Sequence, residues 1–265
     1  MKYSHIVHGI FLNRPNRFIA HVQINGREEI CHVKNTGRCR ELLVPGCTVY
    51  CNLSDNPKRK TKYDLIAVEK KLNNHVSLAS ADENFPEIKN SLLINMDSQA
   101  PNTAVKEWLS SSSSPFGNID FLKPECKFGS SRFDFYLECK NRNNMTNQNT
   151  NSKVIHEDRT CKIFIEVKGV TLEENGVVMF PDAPTERGVK HIYELIRCHA
   201  EGFETYVIFV VQMAQADYFS PNRKTHPQFA DALYEAKRSG VQLLAYTCAV
   251  TPDKMKIDKP LPIKL

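Results

Sequence analysis

Two short stretches hold residues whose types and spacing suit hydrolytic chemistry. Glu166-Val167-Lys168 lies within a run flanked by Phe164, Ile165 and Val170, which reads as a strand. Side chains alternate along a strand, so Glu166 and Lys168 leave one face and Val167 the other. Upstream, Ser131-Arg132-Phe133-Asp134-Phe135-Tyr136-Leu137 sets a carboxylate inside an otherwise aromatic run. An acid buried there without a partner costs on the order of several kcal/mol, so Asp134 needs a cation or the lysine beside it. Two carboxylates hold a hard cation such as Mg²⁺ or Mn²⁺ through oxygen, and its retained waters can be activated. A lysine at that place orients the attacking water or offsets the negative charge that gathers on phosphorus.

An isolated Glu-x-Lys means little in a chain with 35 Lys and Arg and 30 Asp and Glu. Its place on the strand after an acid-bearing strand is what counts: that order is the PD-(D/E)xK nuclease arrangement. The surrounding elements must then hold the two strands side by side. Cys126 to Glu138 and Lys162 to Val170 read as strands, with Gly176 to Phe180 a third, making a three-strand meander. Thr185 caps a helix with Val189, Ile192, Ile196 and His199 on one face. Val207 to Val211 is continuously apolar, as a strand buried on both faces would be. Pro227 opens a helix carrying Phe229, Leu233 and Ala236 that ends at Gly240, and Val241 to Val250 is the last strand. A helix opened by Pro101-Asn102 precedes all of these. The alternation predicts an α/β domain with a mixed central sheet over residues 81–265. The Asn-rich run from Asn141 to Asn151 has no periodicity and predicts a disordered insertion at about 141–160.

The first 80 residues differ in charge and pattern. They hold thirteen Lys and Arg against six Asp and Glu, while the remaining 185 hold 22 against 24. Phe18 to Ile24 and Glu28 to Val33 flank Asn25-Gly26, the strongest short hairpin signal, because both turn residues tolerate positive φ. Asn35 to Leu43 gives about one helical turn, stopped by Pro45-Gly46. Thr48 to Leu53, Asp64 to Glu69 and Val76 to Ala79 complete about five strands, which predicts a partly open OB-like β-barrel. The basic surplus points to a polyanion, with DNA the expected partner and RNA the alternative. Arg14, Arg17, Lys34, Arg38 and Arg40 lie near strand ends, interleaved with Phe11 and Phe18, as in surfaces that bind single strands by charge and stacking, although both phenylalanines read first as core residues. The basic loop Pro57 to Lys62 reads equally as a phosphate contact or a solvated turn.

Asn35-Thr36-Gly37-Arg38, Gly129 to Phe135, Glu166 to Leu172 and the phrase from Phe180 to Gly188 resemble blocks of the sugar fermentation stimulation protein A family. The resemblance runs from Phe11 to Val241. It implies an N-terminal OB-like domain, a C-terminal PD-(D/E)xK or restriction-endonuclease-like domain, DNA binding, and a link to sugar-utilisation gene expression. Glu125 matches a family glutamate and is the favoured third acid, with Glu107 as competitor. The chain departs from the family in the Asn-rich insertion and in His226-Pro227, where Asp-Pro is usual.

Asp182 and Glu186 read as helix-start chemistry, whereas Arg187 and Lys190 are placed to reach a phosphate. His191 is weighed as a proton carrier against a helix-face histidine, the latter being favoured. Nine cysteines without a Cys-x-x-Cys pair, no apolar leader and no long apolar run predict a cytoplasmic protein with no disulfides and no membrane partner. P-loop, dinucleotide, zinc-protease and serine-hydrolase motifs are absent from the sequence. The expected function is nucleic-acid binding with a Mg²⁺- or Mn²⁺-dependent nuclease centre, catalytic through Asp134, Glu166, Lys168 and Glu125 with Asp134 and Glu166 as metal ligands. The alternatives are a non-catalytic DNA-binding regulator and a phosphosugar sensor. Either leaves room for a homodimer.

Overall fold

The computed structural model describes residues 1–35, 37–72, 91–140 and 160–265. The strand expected at Val76 to Ala79 and the insertion expected at 141–160 lie outside these, apart from Thr160.

The N-terminal strands are β1 (Ile6–Asn16), β2 (Ile19–Ile24), β3 (Arg27–Val33), β4 (Thr48–Leu53), β5 (Tyr63–Lys71) and β6 (Ser91–Asn95). The hairpin turn joining β2 to β3 has Asn25 at φ 51° and Gly26 at φ 77°, as a tight two-residue loop requires. β1 pairs with β2 and β4, β4 with β5, and a parallel β3–β5 pairing closes the circle. That closed order of five strands is the OB-type barrel. β6 extends it by pairing with β5, so the first sheet reaches past residue 80. Alternate residues Ala20, Val22 and Ile24 fill the interior with Phe11, Cys31, Val49 and Cys51. Of the stretch expected to be helical, Arg40 to Leu42 forms a turn and none of the described residues is in a helix.

The second part contains α1 (Ala100–Leu109), β7 (Ile119–Phe128), β8 (Ser131–Lys140), β9 (Thr160–Val170), β10 (Leu172–Glu174), β11 (Val177–Phe180) and α2 (Glu186–Ala200). It continues with β12 (Glu204–Val211), β13 (Tyr218–Pro221), α3 (Pro227–Arg238), β14 (Gln242–Thr251) and β15 (Lys254–Pro260). Its main sheet has the order β15-β14-β12-β9-β8-β7, with β12 parallel to both β9 and β14 and the outer strands antiparallel. Period two is visible in β12. Val207, Phe209 and Val211 enter the core shared with α2 and α3, while Ile208 and Val210 enter the one built around α1 and Trp108.

Two expectations are corrected. The stretch from Cys126 to Glu138 is not one strand: it turns at Gly129, φ 55°, giving the β7–β8 hairpin. The strand at Val177–Phe180 is not the third of a meander. Both edges of β9 are already taken by β8 and β12, so β10 and β11 pair with each other and β11 runs beside β13 in a small separate sheet. No helix among the described residues is long and apolar enough to cross a membrane.

Candidate acidic centre

β8 and β9 pair regularly as far as Phe135 opposite Ile165. Beyond that pair the next acids on the two strands are Asp134 and Glu166. Asp134 fills the end of the ladder: its Oδ2 accepts from the Val167 backbone N–H at 2.7 Å and its Oδ1 from the Asn102 amide at 2.7 Å. Asn102 lies in the first turn of α1, so a helix on the opposite side from α2 steadies the acid. Burial and the nearby Glu166 charge push the Asp134 carboxyl up to about 6, against the pull of those two hydrogen bonds and of Lys168.

Glu166 is only 3% exposed. Its Oε1 accepts from Lys168 Nζ at 2.6 Å and from His191 Nδ1 at 2.6 Å. Burial alone would raise this carboxyl, but the His191 hydrogen bond and the Lys168 charge outweigh it and the net shift is downward. Its Oε2 is buried and has no hydrogen-bond partner among the described residues. The expected pairing of Glu166 and Lys168 on one face is therefore present, with Val167 in the core on the other side.

His191 comes from α2, which Thr185 caps by accepting from the Gly188 N–H at 3.1 Å. The buried residues of α2 are Gly188, His191, Ile192, Glu194, Leu195 and Cys198, with Val189 and Ile196 of the expected face packed partly buried beside them. His191 thus faces the sheet. Arg187 Nε lies 3.4 Å from His191 Nε2 at the edge of the centre, and both Arg187 and Lys190 are solvent-exposed.

Other expected site residues are placed differently. Glu125 lies on β7 between the pairs that flank Asp134, yet it has φ 54° and its exposed carboxylate pairs with Arg132 at 2.9 Å. Glu107, the competitor, binds the Met1 ammonium instead. Among the described residues no group of three or more His, Cys, Asp or Glu side chains could hold a metal ion. The donor set still suits Mg²⁺, which is commonly held by one or two carboxylates with waters completing its shell. A desolvated pair of acids with one unpartnered oxygen is such a set.

In the barrel, Arg14 is committed to structure. Its two terminal nitrogens donate to the carbonyls of Arg17, Asn35, Gly37 and Arg38 at 2.7–2.8 Å, so it pins a loop. Lys34 is equally committed, to buried Asp97 at 2.7 Å. Arg17, Arg38 and Arg40 are exposed. The two phenylalanines divide: Phe11 is core at 2% exposure, whereas Phe18 is 46% exposed with the Arg17 guanidinium 4.8 Å from its ring centre. A Cβ at Gly37 would collide with the Asp182 carboxylate, so the barrel loop abuts the segment that leads into α2. Gly37 and Asp182, from two blocks far apart in sequence, thereby meet.

Asn102 escaped sequence reasoning because nothing local links it to an acid 32 positions on. His226, which the sequence marks only as a departure from Asp-Pro, accepts from the Thr185 N–H at 3.3 Å and lies 3.2 Å from Glu186, tying the starts of α2 and α3 together.

The comparisons with known proteins agree with this architecture. The family model described as SfsA N-terminal OB domain matches residues 12–78, and that described as sugar fermentation stimulation protein RE domain matches residues 99–254. A sugar fermentation stimulation protein homolog from Ruminiclostridium cellulolyticum is 51% identical over the whole of both chains. One from Desulfitobacterium hafniense is 49% identical, covering 100% of this chain and 99% of the relative. Among solved structures, that of Pyrococcus furiosus SfsA in complex with Ca²⁺ has a TM-score of 0.76 and 27% identity, covering 100% of this chain and 98% of that one.

Proposed function

Because the chain belongs to the sugar fermentation stimulation protein family, we propose that it binds nucleic acid and hydrolyses its phosphodiester bonds at the Asp134–Glu166–Lys168 centre. The observation that carries this reading is Glu166 Oε2, a buried carboxylate oxygen with no partner among the described residues, beside an acid whose proton affinity is raised by burial and like charge. Strongly perturbed acids of this kind cluster at functional sites.

Asp134 and Glu166 would hold a divalent cation, and the solved relative bound to Ca²⁺ supports a divalent ion at such a fold. A bound Mg²⁺ would supply positive charge and a water of lowered pKa. The chain's own groups do the rest. Lys168, 13% exposed in its side chain, keeps a positive charge where a phosphate oxygen would gain negative charge. Asn102 and the Val167 N–H fix Asp134 in orientation. Exposed Arg187 and Lys190 at the rim, with Arg17, Arg38, Arg40 and Phe18 on the barrel, offer phosphate and base contacts to an incoming strand. DNA is the proposed substrate, with RNA as alternative.

The test uses purified full-length protein with plasmid DNA, single-stranded DNA and RNA in Mg²⁺ or Mn²⁺, beside Asp134→Ala and Lys168→Ala. Metal-dependent cleavage above both variants is expected. Equal background in all three on every substrate removes the enzyme. Salt-sensitive DNA affinity that survives in both variants would then leave a non-catalytic DNA-binding regulator.

A further inference from the structure

Among the described residues the Glu166 carboxylate is asymmetric: one oxygen takes both available donors and the other takes none. Lys168 accounts for one of those donors and belongs to the same strand. The second, His191, arrives from a different element, 25 residues on. A carboxylate only accepts, so His191 Nδ1 must carry the proton in this contact. His191 Nε2 faces the Arg187 Nε–H, which only donates, so that nitrogen accepts. Both ring nitrogens are therefore assigned by their partners, and the arrangement is that of one neutral tautomer. The ring plane is also held: Phe133 stands edge-on to it, centroids 6.2 Å apart at 73°. A histidine with both nitrogens engaged and its ring clamped is poorly placed to carry protons but well placed to hold something still.

We infer that His191 is a positioning residue for the acidic centre, locking Glu166 through Oε1 so that Oε2 is presented to a divalent cation, with Arg187 fixing the tautomer from behind. The inference rests on the reading of Asp134 and Glu166 as cation ligands. Without the His191 bond Glu166 has only the flexible lysine to fix its rotamer, and its carboxylate can turn. Partners that orient a ligating carboxylate commonly govern metal affinity as strongly as this.

The two amide replacements separate positioning from mere packing. An asparagine amide nitrogen overlays the position of His191 Nδ1, so His191→Asn keeps the donor to Glu166. A glutamine amide nitrogen overlays Nε2, so His191→Gln keeps bulk and polarity but aims the donor at Arg187. Mn²⁺ is titrated calorimetrically into full-length wild type, His191→Ala, His191→Asn and His191→Gln, with far-ultraviolet circular dichroism as the check on folding. Affinity should fall about tenfold or more in His191→Ala and His191→Gln and recover most of that in His191→Asn. Equal affinities in the Asn and Gln variants, or wild-type affinity in a folded His191→Ala, would overturn the positioning role while leaving the centre intact. Should the alanine variant fail to fold, the Asn and Gln pair decides alone. Wild type that takes up no Mn²⁺ would overturn the cation-binding reading of the centre, and this inference with it.

Discussion

Asp64 in the barrel and Asp134 in the α/β domain are both strand carboxylates drawn out of water, and their surroundings drive them in opposite directions. Asp64 meets cations and donors on every side: Arg59 grips both oxygens at 2.6 and 2.8 Å, and His32 lies at 3.0 Å. Burial alone would raise its carboxyl, yet the Arg59 hydrogen bonds, then His32 and the Arg59 charge, hold it below its usual value. Asp134 receives two neutral donors and a like charge, and is pushed up to about 6. One acid is a closed structural unit. The other is held charged-poor and waiting for a counter-charge, as groups that work on ligands tend to be.

If that distinction is right, the largest effect should appear in cleavage. Lys168→Ala or Asp134→Ala should lower metal-dependent turnover by about 100- to 1000-fold, the usual loss when one charge-stabilising group is removed. Asp64→Ala, assayed well below its melting temperature, should cut at a rate close to wild type. A cleavage defect in Asp64→Ala as deep as that of Lys168→Ala would break the comparison.

Stability should reverse the ranking. Asp64→Ala leaves Arg59 and His32 without their acceptor and should cost about 2 kcal/mol in urea unfolding, the range for hydrogen bonds to a charged group. Asp134→Asn, in EDTA, should be neutral or stabilising by about 1 kcal/mol, since it removes a desolvated charge kept for function. The pH dependence has opposite signs. Asp64 has a lowered folded value, so its contribution is present above the unfolded carboxylate range of about 4 and is lost as pH falls through the folded value. Asp134 has a raised one, so its contribution is present below about 4 and is lost as pH rises through about 6. Metal-free unfolding from pH 3 to 7 (an order-of-magnitude window set by these values) should therefore show the wild-type advantage over Asp64→Asn growing with pH. The advantage over Asp134→Asn should shrink.

What the sequence made legible follows the same divide between local and distant causes. The Asn25-Gly26 hairpin, the Thr185 cap, the Pro227 helix start and the shared face of Glu166 and Lys168 are written in adjacent residues, and each is present. The break at Gly129 was missed because the alternation of Phe133, Phe135 and Leu137 was extended back across Gly129-Ser130, which is a turn signal. The small β10-β11-β13 sheet depends on which strand edges are already occupied, a property of the whole topology. The same holds for single residues. Arg14 and Lys34 look like nucleic-acid contacts by type and place, and only the folded chain reveals that backbone carbonyls and Asp97 already claim them. His191 is the buried helix-face histidine that the sequence favours, and only the fold brings Glu166 of β9 to its Nδ1.

The smallest effect should separate the barrel's own cations from one another. Arg17 is exposed and lies over Phe18, so it is free to meet a phosphate while the ring offers a stacking face. Lys34 has its charge matched by Asp97. Each phosphate neutralised adds its share to the salt dependence of binding, because condensed counterions are released. In fluorescence-anisotropy titrations against single-stranded DNA over a salt series, Arg17→Ala should reduce the slope of log affinity against log salt by about one. Lys34→Ala should leave that slope unchanged while lowering the melting temperature, since it strips buried Asp97 of its cation. Phe18→Ala should weaken binding at every salt concentration with the slope intact, because stacking releases no ions. Were Lys34→Ala to change the slope as Arg17→Ala does, its ion pair would open on binding, and the line drawn between structural and ligand-facing charges in the barrel would have to move.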